Sequence, residues 1–235
     1  MNKLTKFDNT YAQLLSVPNH YYALIANGDF PKNTFLRDLI VKADQIICCD
    51  GAVNQLSLLI TEAKPNYIIG DGDSISREHI LAYQDRVLII SEQNTNDLTK
   101  AIHFIHTQLP LLPIFIFGAT GLREDHTIAN ISLLSQYAHQ KEVLTMISDY
   151  GIFTAHDQSA VIQTISGQFI SFFTTNPNTI INCDQLKYPL FNKQFLNWHE
   201  GTLNQATGAQ IILKSSGQVI VYRSFELKKR SEIHV

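Results

Sequence analysis

Two carboxylates separated by a single glycine, Asp71-Gly72-Asp73, follow the apolar run Ile68-Ile69-Gly70 and lead into Ser74-Ile75. Residues two apart in an extended or tightly turned backbone point the same way. Asp71 and Asp73 can therefore converge on one hard cation such as Mg²⁺, while Gly72 lets a ligand approach the main chain. The plainer alternative is an acidic turn closing a strand, because Gly and Asp are common turn formers. Equivalent places elsewhere weigh against that alternative, since Asn27-Gly28-Asp29, Asp50-Gly51-Ala52, Gln93 to Asp97 and Gly118 to His126 each follow a strand-like run. An acidic cluster on one edge repels itself unless a divalent cation neutralises it, which predicts Mg²⁺ and, through it, a polyphosphate.

The last of these segments supplies a phosphate-binding half. Gly118 and Gly121 allow backbone amides to face an anion, Arg123 offers a planar donor fork, and the helix that follows presents its positive end. Walker-type GxxxxGK[ST] and GxGxxG patterns are absent at the strand-helix turns, which disfavours P-loop and dinucleotide folds. Lys100 lies one helical turn after Asp97, so it forms either a surface salt bridge or a phosphate contact. His126, just inside a helix beside Asp125, either acts as a base or orients its neighbour. The other histidines show no HxxxH or HExxH spacing, which argues against a zinc enzyme.

These residues need a scaffold that brings strand ends together. From Tyr21 to Asp149 short apolar runs alternate with longer segments of helical period, which predicts an α/β domain with a mostly parallel sheet flanked by helices. The expected strands are Tyr22 to Ala26, Gln45 to Cys49, Tyr67 to Ile69, Val87 to Ile90, Ile114 to Phe117 and Val143 to Ser148. A helix over Asp97 to Gln108 carries the stripe Leu98, Ala101, Ile102 and Ile105. A second, over Asp125 to Tyr137, carries Ile128, Ile131 and Leu134, with Leu133 and Ser135 nearby. Ligands of such sheets bind beyond the carboxyl ends of the strands.

After Asp149 the texture changes to short runs punctuated by Gly151, Gly167, Gly208 and Gly217. These are Ile152 to Ala155, Ala160 to Ile165, Gln168 to Thr174, Thr179 to Asn182, Gln210 to Leu213 and Gln218 to Tyr222. They predict a C-terminal antiparallel β-sandwich domain with a hairpin turn at Ser215-Ser216-Gly217. The expected division is residues 1–150 as the α/β domain and 151–235 as the β-sandwich domain.

At 235 residues and 45% hydrophobic the chain can bury one large core or two modest ones. A net charge of −3 argues against a broad nucleic-acid surface, and the basic cluster Lys228-Lys229-Arg230 reads as a solvated end. Cys48, Cys49 and Cys183 form neither a disulfide framework nor a zinc spacing, so reduced cysteines in a cytoplasmic protein are expected. No apolar stretch reaches the length of a membrane span, and the first twenty residues lack a signal-type apolar region.

Taken in order, Asn27-Gly28, Asp50-Gly51-Ala52, Gly70 to Ile75, Asn96 to Ala101, Gly118 to Asn130 and Leu186-Lys187-Tyr188-Pro189-Leu190 resemble the thiamine pyrophosphokinase family over about residues 21 to 225. The resemblance implies an α/β catalytic domain followed by a thiamine-binding β-sandwich. It also implies a homodimer, with thiamine bound between one subunit's first domain and the other's second. The implied reaction moves a pyrophosphoryl group from ATP to the thiamine hydroxyl, giving thiamine diphosphate and AMP. By the same resemblance Asp71 and Asp73 ligate Mg²⁺ with Asp97 nearby, Asn27, Lys100 and Arg123 contact phosphate, Asp50 and Asp125 complete the acidic rim, and Asn204 contacts thiamine.

The chain departs from the family pattern at three places. Asn94-Thr95-Asn96-Asp97 stands for Asp-x-Thr-Asp, which leaves the number of metal ions open. Leu122 replaces a second glycine after Gly121, and Leu203 replaces a serine before Asn204. Trp198, the lone tryptophan, supplies either an aromatic wall for the cationic thiamine ring or a core or dimer-interface contact. Asp97 and Asp125 are the alternatives for a late proton acceptor, with Arg123 and Lys100 on the developing charge. Two rival functions share the same cluster: a metal-dependent phosphohydrolase and a nucleotide-sensing module that consumes no ATP.

Overall fold

The computed structural model describes residues 14–139 and 144–227, so Val143 and the Lys228-Lys229-Arg230 cluster lie outside the described residues. Contacts group the described residues into two compact units, one of 18–133 with 144–149, the other of 14–17, 134–139 and 150–227.

The first unit is a parallel α/β sheet. Its strands are β1 (Tyr22–Ile25), β2 (Gln45–Cys49), β3 (Tyr67–Gly70), β4 (Val87–Ile89), β5 (Ile114–Phe117) and β6 (Leu144–Ser148). Every neighbouring pair is parallel, in the spatial order β6-β5-β1-β2-β3-β4. β1 and β5 are buried at every position, as strands covered on both faces require, which explains why unbroken apolar runs located them within a residue. The helices are α1 (Thr34–Val41), α2 (Ala52–Leu59), α3 (Arg77–Ala82), α4 (Asp97–Gln108) and α5 (Glu124–Leu133). Asn33, Ser76 and Asn96 cap α1, α3 and α4 by accepting hydrogen bonds from first-turn amides.

Helix α4 buries the expected stripe Leu98, Ala101, Ile102 and Ile105, and with it Lys100. Helix α5 differs from expectation. It stops at Leu133 and tightens into a 3₁₀ turn over Leu134–Tyr137. Its buried residues are Asn130 and Leu133, whereas Ile128 is 56% exposed. The apolar stripe misplaced this face because the inward position is taken by a polar residue with its own hydrogen bonds.

The second unit is antiparallel. Its strands are β7 (Gly151–Gln163), β8 (Gln168–Phe173), β9 (Ile181–Cys183), β10 (Leu190–Lys193), β11 (Asn204–Gln205) and β12 (Gln210–Leu227). β12 pairs with β7 along most of its length, with β9 at Lys214 and Ser215, and with β8 from Ile220 to Arg223. Side chains of β7, β8, β9 and β12 fill one core that includes Ile162, Phe172, Ile181, Leu213 and Val221. The expected hairpin at Ser215-Ser216-Gly217 is instead a bulge inside β12. Lys214 lies opposite Ser159 and Gln218 opposite Asp157, so three residues face Gln158 alone. Gln158 takes a left-handed backbone, φ 64°. A polar, glycine-containing step within an apolar strand reads as a turn from sequence, and the long pairing with β7 overrides it. The same pairing carries β7 through the polar run His156 to Ser159, where two separate strands were expected.

Candidate active site

Sheet order creates the site. The chain moves from β1 outward through β2, β3 and β4, then returns to β5 on the other side of β1, so the carboxyl ends of β1 and β5 part at a switch point. A cleft of about 380 Å³ opens there, lined in part by Asn27, Asp50, Asp97, Gly118, Gly121 and Arg123. The loops after β1 and β5 are joined by backbone hydrogen bonds: the Gly28 amide donates to the Gly118 carbonyl at 2.6 Å and the Asp29 amide to the Thr120 carbonyl at 2.8 Å. A Cβ on Gly28 would lie 2.4 Å from that Gly118 oxygen, so only glycine permits the approach.

The loop after β3 is held from β2. Asp50, 4% exposed, accepts the Gly72 amide at 2.9 Å on one carboxylate oxygen and the Ser74 amide at 3.0 Å on the other. Asp71 accepts a hydrogen bond from Gln93 at 3.2 Å and one from the Asp73 amide at 3.3 Å. These bonds, Gln93 first, hold its carboxyl below the usual carboxylate range. Asp73 is exposed and accepts from the Ser74 hydroxyl at 2.8 Å. Asp50, Asp71 and Asp73 each offer a carboxylate oxygen within 4.8 Å of the others. The group that can share one cation therefore includes Asp50, while Asp97 is engaged elsewhere.

Asp97 opens α4 and meets Lys100 at 3.2 Å. The Lys100 side chain is only 4% exposed, so the pair is a half-buried one rather than a surface bridge. Burial raises the Asp97 carboxyl above its ordinary value despite the opposing pull of Lys100. Its neighbour Asn96 accepts from the Thr99 amide at 2.9 Å and donates to Asn130 at 3.1 Å; Asn130 donates in turn to the Ala119 carbonyl at 2.9 Å. The loops after β4 and β5 are thereby tied together across the cleft.

Arg123 grips Asp125 with both arms of its fork, at 3.1 and 2.6 Å, and both side chains are mostly exposed. That fork holds the Asp125 carboxyl down to about 2. Arg123 thus stands at the cleft with its Nε and Nη2 turned to Asp125. Leu122, the departure from glycine, still adopts the left-handed conformation at φ 62°.

Trp198 and Asn204 belong to the β unit. The Trp198 indole donates to the Thr174 carbonyl at 3.0 Å and its ring packs 5.5 Å from Phe173. Asn204, buried, accepts from the Tyr188 and Gln205 amides and donates to the Tyr188 carbonyl at 2.7 Å, so its amide pins the Lys187-Tyr188 turn. Sequence reasoning missed Asn54, Gln93 and Asn130 as site residues. Asn130 lies in the family-like run Gly118 to Asn130 and Gln93 in the polar run after a strand, but sequence alone gives neither a role of its own. Asn54 carries no signal.

Known proteins agree with this architecture. The family model for the thiamin pyrophosphokinase catalytic domain matches residues 36–147, and that for the thiamin pyrophosphokinase substrate-binding domain matches residues 151–222. Thiamin pyrophosphokinase 1 of Caenorhabditis elegans is 26% identical over 194 residues, covering 76% of this chain and 78% of that protein. Thiamine pyrophosphokinase 2 of Oryza sativa subsp. japonica is 32% identical over 150 residues, covering 54% of this chain and 55% of that protein, about half of each. Among solved structures, thiamin pyrophosphokinase from Candida albicans shares the fold with TM-score 0.76 at 21% identity, covering 92% of both chains. The Bacillus subtilis thiamine pyrophosphokinase does so with TM-score 0.72 at 22% identity, covering 88% of this chain and 100% of that one. With both family models matched in order, on a parallel sheet with an acidic switch-point cleft followed by an antiparallel unit, the chain belongs to the thiamin pyrophosphokinase family.

Proposed function

We propose that the chain transfers a pyrophosphoryl group from ATP to the hydroxyl of thiamine in a Mg²⁺-dependent reaction, giving thiamine diphosphate and AMP. The observation that carries this reading is the trio Asp50, Asp71 and Asp73, whose carboxylate oxygens approach within 4.8 Å of one another, with Asp50 itself lining the cleft. An all-oxygen donor set of this kind suits a hard divalent cation, and Asp71 and Asp73 are its main ligands in our proposal because Asp50 already serves two amides. Mg²⁺ bound there would neutralise charge on the phosphate oxygens.

The chain's own residues account for the remaining work. Gly118 and Gly121 offer backbone of the cleft's lining to phosphate, and Lys100 places positive charge beside Asp97, which lines the same cleft. Arg123 releases Asp125 to reach a phosphate, an exchange that exposure of both partners makes cheap. Asp97 suits a late proton acceptor, since burial has raised its carboxyl; Asp125, held at about 2, is the poorer choice.

The same proposal assigns nucleotide binding and catalysis to residues 1–150 and thiamine binding to 151–235, in a homodimer. The substrate-binding family match at 151–222 supports the second assignment. A cytoplasmic setting is part of it too, supported by three free, buried cysteines whose thiols burial pushes up. Among the described residues no helix is long and apolar enough to cross a membrane.

The test is AMP formation from ATP and Mg²⁺ with and without thiamine, with Asp71→Asn as control. Thiamine-dependent AMP matched by thiamine diphosphate is expected, together with a loss of orders of magnitude in the control. Hydrolysis without thiamine would identify a phosphohydrolase instead, and ATP binding without turnover a sensor.

A further inference from the structure

We propose that Asn54 is a positioning residue for the Asp71–Ser74 loop, setting how its carboxylates meet a cation; this rests on the proposal that Asp71 and Asp73 hold Mg²⁺. Helix α2 begins behind Gly51, which gives it no side-chain cap. Asn54, in the first turn of that helix, turns away from its own backbone. Its Nδ2 donates to the Ser74 carbonyl at 2.9 Å and its Oδ1 accepts the Ser76 amide at 3.2 Å. Four residues earlier, Asp50 accepts the amides of Gly72 and Ser74. Two side chains of one short segment therefore hold four backbone groups that bracket Asp73, and Ser74 is fixed at both its N–H and its C=O.

Helix α3 orients Asn54 in turn. The Nδ1 of His79 lies 2.9 Å from Asn54 Oδ1 and 2.7 Å from Ser76 Oγ. An amide oxygen only accepts, so this ring nitrogen carries the proton and donates to it. With its oxygen engaged by His79 and Ser76, the Asn54 amide has one orientation, and that orientation aims Nδ2 at Ser74. The main chain on which Asp73 stands is thus set by a residue that touches neither metal nor substrate.

The test measures Mn²⁺ binding, as a Mg²⁺ surrogate, to the full-length protein without nucleotide, from the electron paramagnetic resonance signal of free Mn²⁺. The expected result for Asn54→Ala is about tenfold weaker binding, from the loss of roughly one net hydrogen-bond's worth of loop order. Asn66→Ala is the control for mere destabilisation, because Asn66 accepts the Ile46 amide at 2.8 Å at the opposite end of β2. It should lower Tm and leave Mn²⁺ binding unchanged. If Asn54→Ala does not fold, His79→Leu, which removes the orienting donor together with its contact to Ser76 Oγ, should weaken binding about threefold. Wild-type affinity in the Asn54 variant, or an equal loss in Asn66→Ala, overturns this inference alone. A wild-type protein that binds no Mn²⁺ overturns the metal reading and this inference with it.

Discussion

Asp50 is the most informative residue to replace, because its carboxylate is at once a scaffold and a neighbour of the candidate ligands. It stands in a left-handed backbone at φ 40°, and a Cβ on Gly70 would come within 2.6 Å of its own Cβ, so the space is closed. Asp50→Ala leaves the Gly72 and Ser74 amides without their charged acceptor, each bond being worth about 1.5–3 kcal/mol. Alanine also tolerates the left-handed backbone less well than aspartate, at about 1 kcal/mol. Because both amides border solvent and can rehydrate, the lower part of the range applies, and a loss of about 3–5 kcal/mol is expected. Asp50→Asn keeps one acceptor oxygen and the tolerance for positive φ, so about 1–2 kcal/mol is expected. Asp71→Ala, by contrast, removes a less buried carboxylate that is held down only by bonds from Gln93 and the Asp73 amide, and should cost less than Asp50→Ala. Urea unfolding followed by circular dichroism gives these differences from shifted midpoints at constant slope. An Asp50→Ala protein within about 0.5 kcal/mol of wild type, or Asn and Ala substitutions of equal cost, would refute the scaffold role.

Three further outcomes follow from the same geometry. Leu122 is 69% exposed at φ 62°, so Leu122→Gly relieves about 1–2 kcal/mol of backbone strain against about 0.5–1 kcal/mol of added unfolded-state entropy. Thermal unfolding should show a small rise in Tm, and a clear fall would exclude strain there. Arg123→Met should let the Asp125 carboxyl rise from about 2 toward the ordinary carboxylate value, read by carbon NMR titration. Because the folded value is depressed, the pair's stability is present above the unfolded value and is lost as pH falls toward about 2; the variant should lack that part of the acid limb. Asp97→Asn strands a lysine that is 4% exposed, whereas Lys100→Met leaves an aspartate that is 35% exposed and can rehydrate. The first should cost about 2 kcal/mol or more and the second less, and equal losses on chemical denaturation would argue against this asymmetry.

The parallel strands were readable because burial on both faces writes itself as an unbroken apolar run, and the acidic and glycine turns were readable because they end those runs. Other features left no such trace. The role of Asp50 depends on two backbone amides, which have no residue signature, so it looked like one more carboxylate on a rim. Sequence leaves Lys100 open to a surface bridge or a phosphate contact; only packing shows it buried against Asp97. The inward face of α5 was misplaced because Asn130 is polar and Ile128 apolar, opposite to their burial. In the β unit, strand lengths failed where a bulge imitates a turn. Asn204 falls within a recognised pattern, but two of its three hydrogen bonds appear only once Tyr188 is brought beside it.

The bulge in β12 has a consequence for how this chain tolerates change in length. Before it, Ile211 and Leu213 point inward opposite Ile162 and Ala160; after it, Val219 and Val221 point inward opposite His156 and Thr154. Three residues against one is an excess of two, an even number, so odd-numbered positions of β12 stay on the core side throughout. Losing one residue between Lys214 and Gln218 would leave two residues against Gln158, the count of an ordinary bulge, and both inward pairs could keep their β7 partners. Losing two would leave one residue against one and join both pairs in a single regular ladder, so this segment has room to shorten by either number without turning the core side of β12 outward.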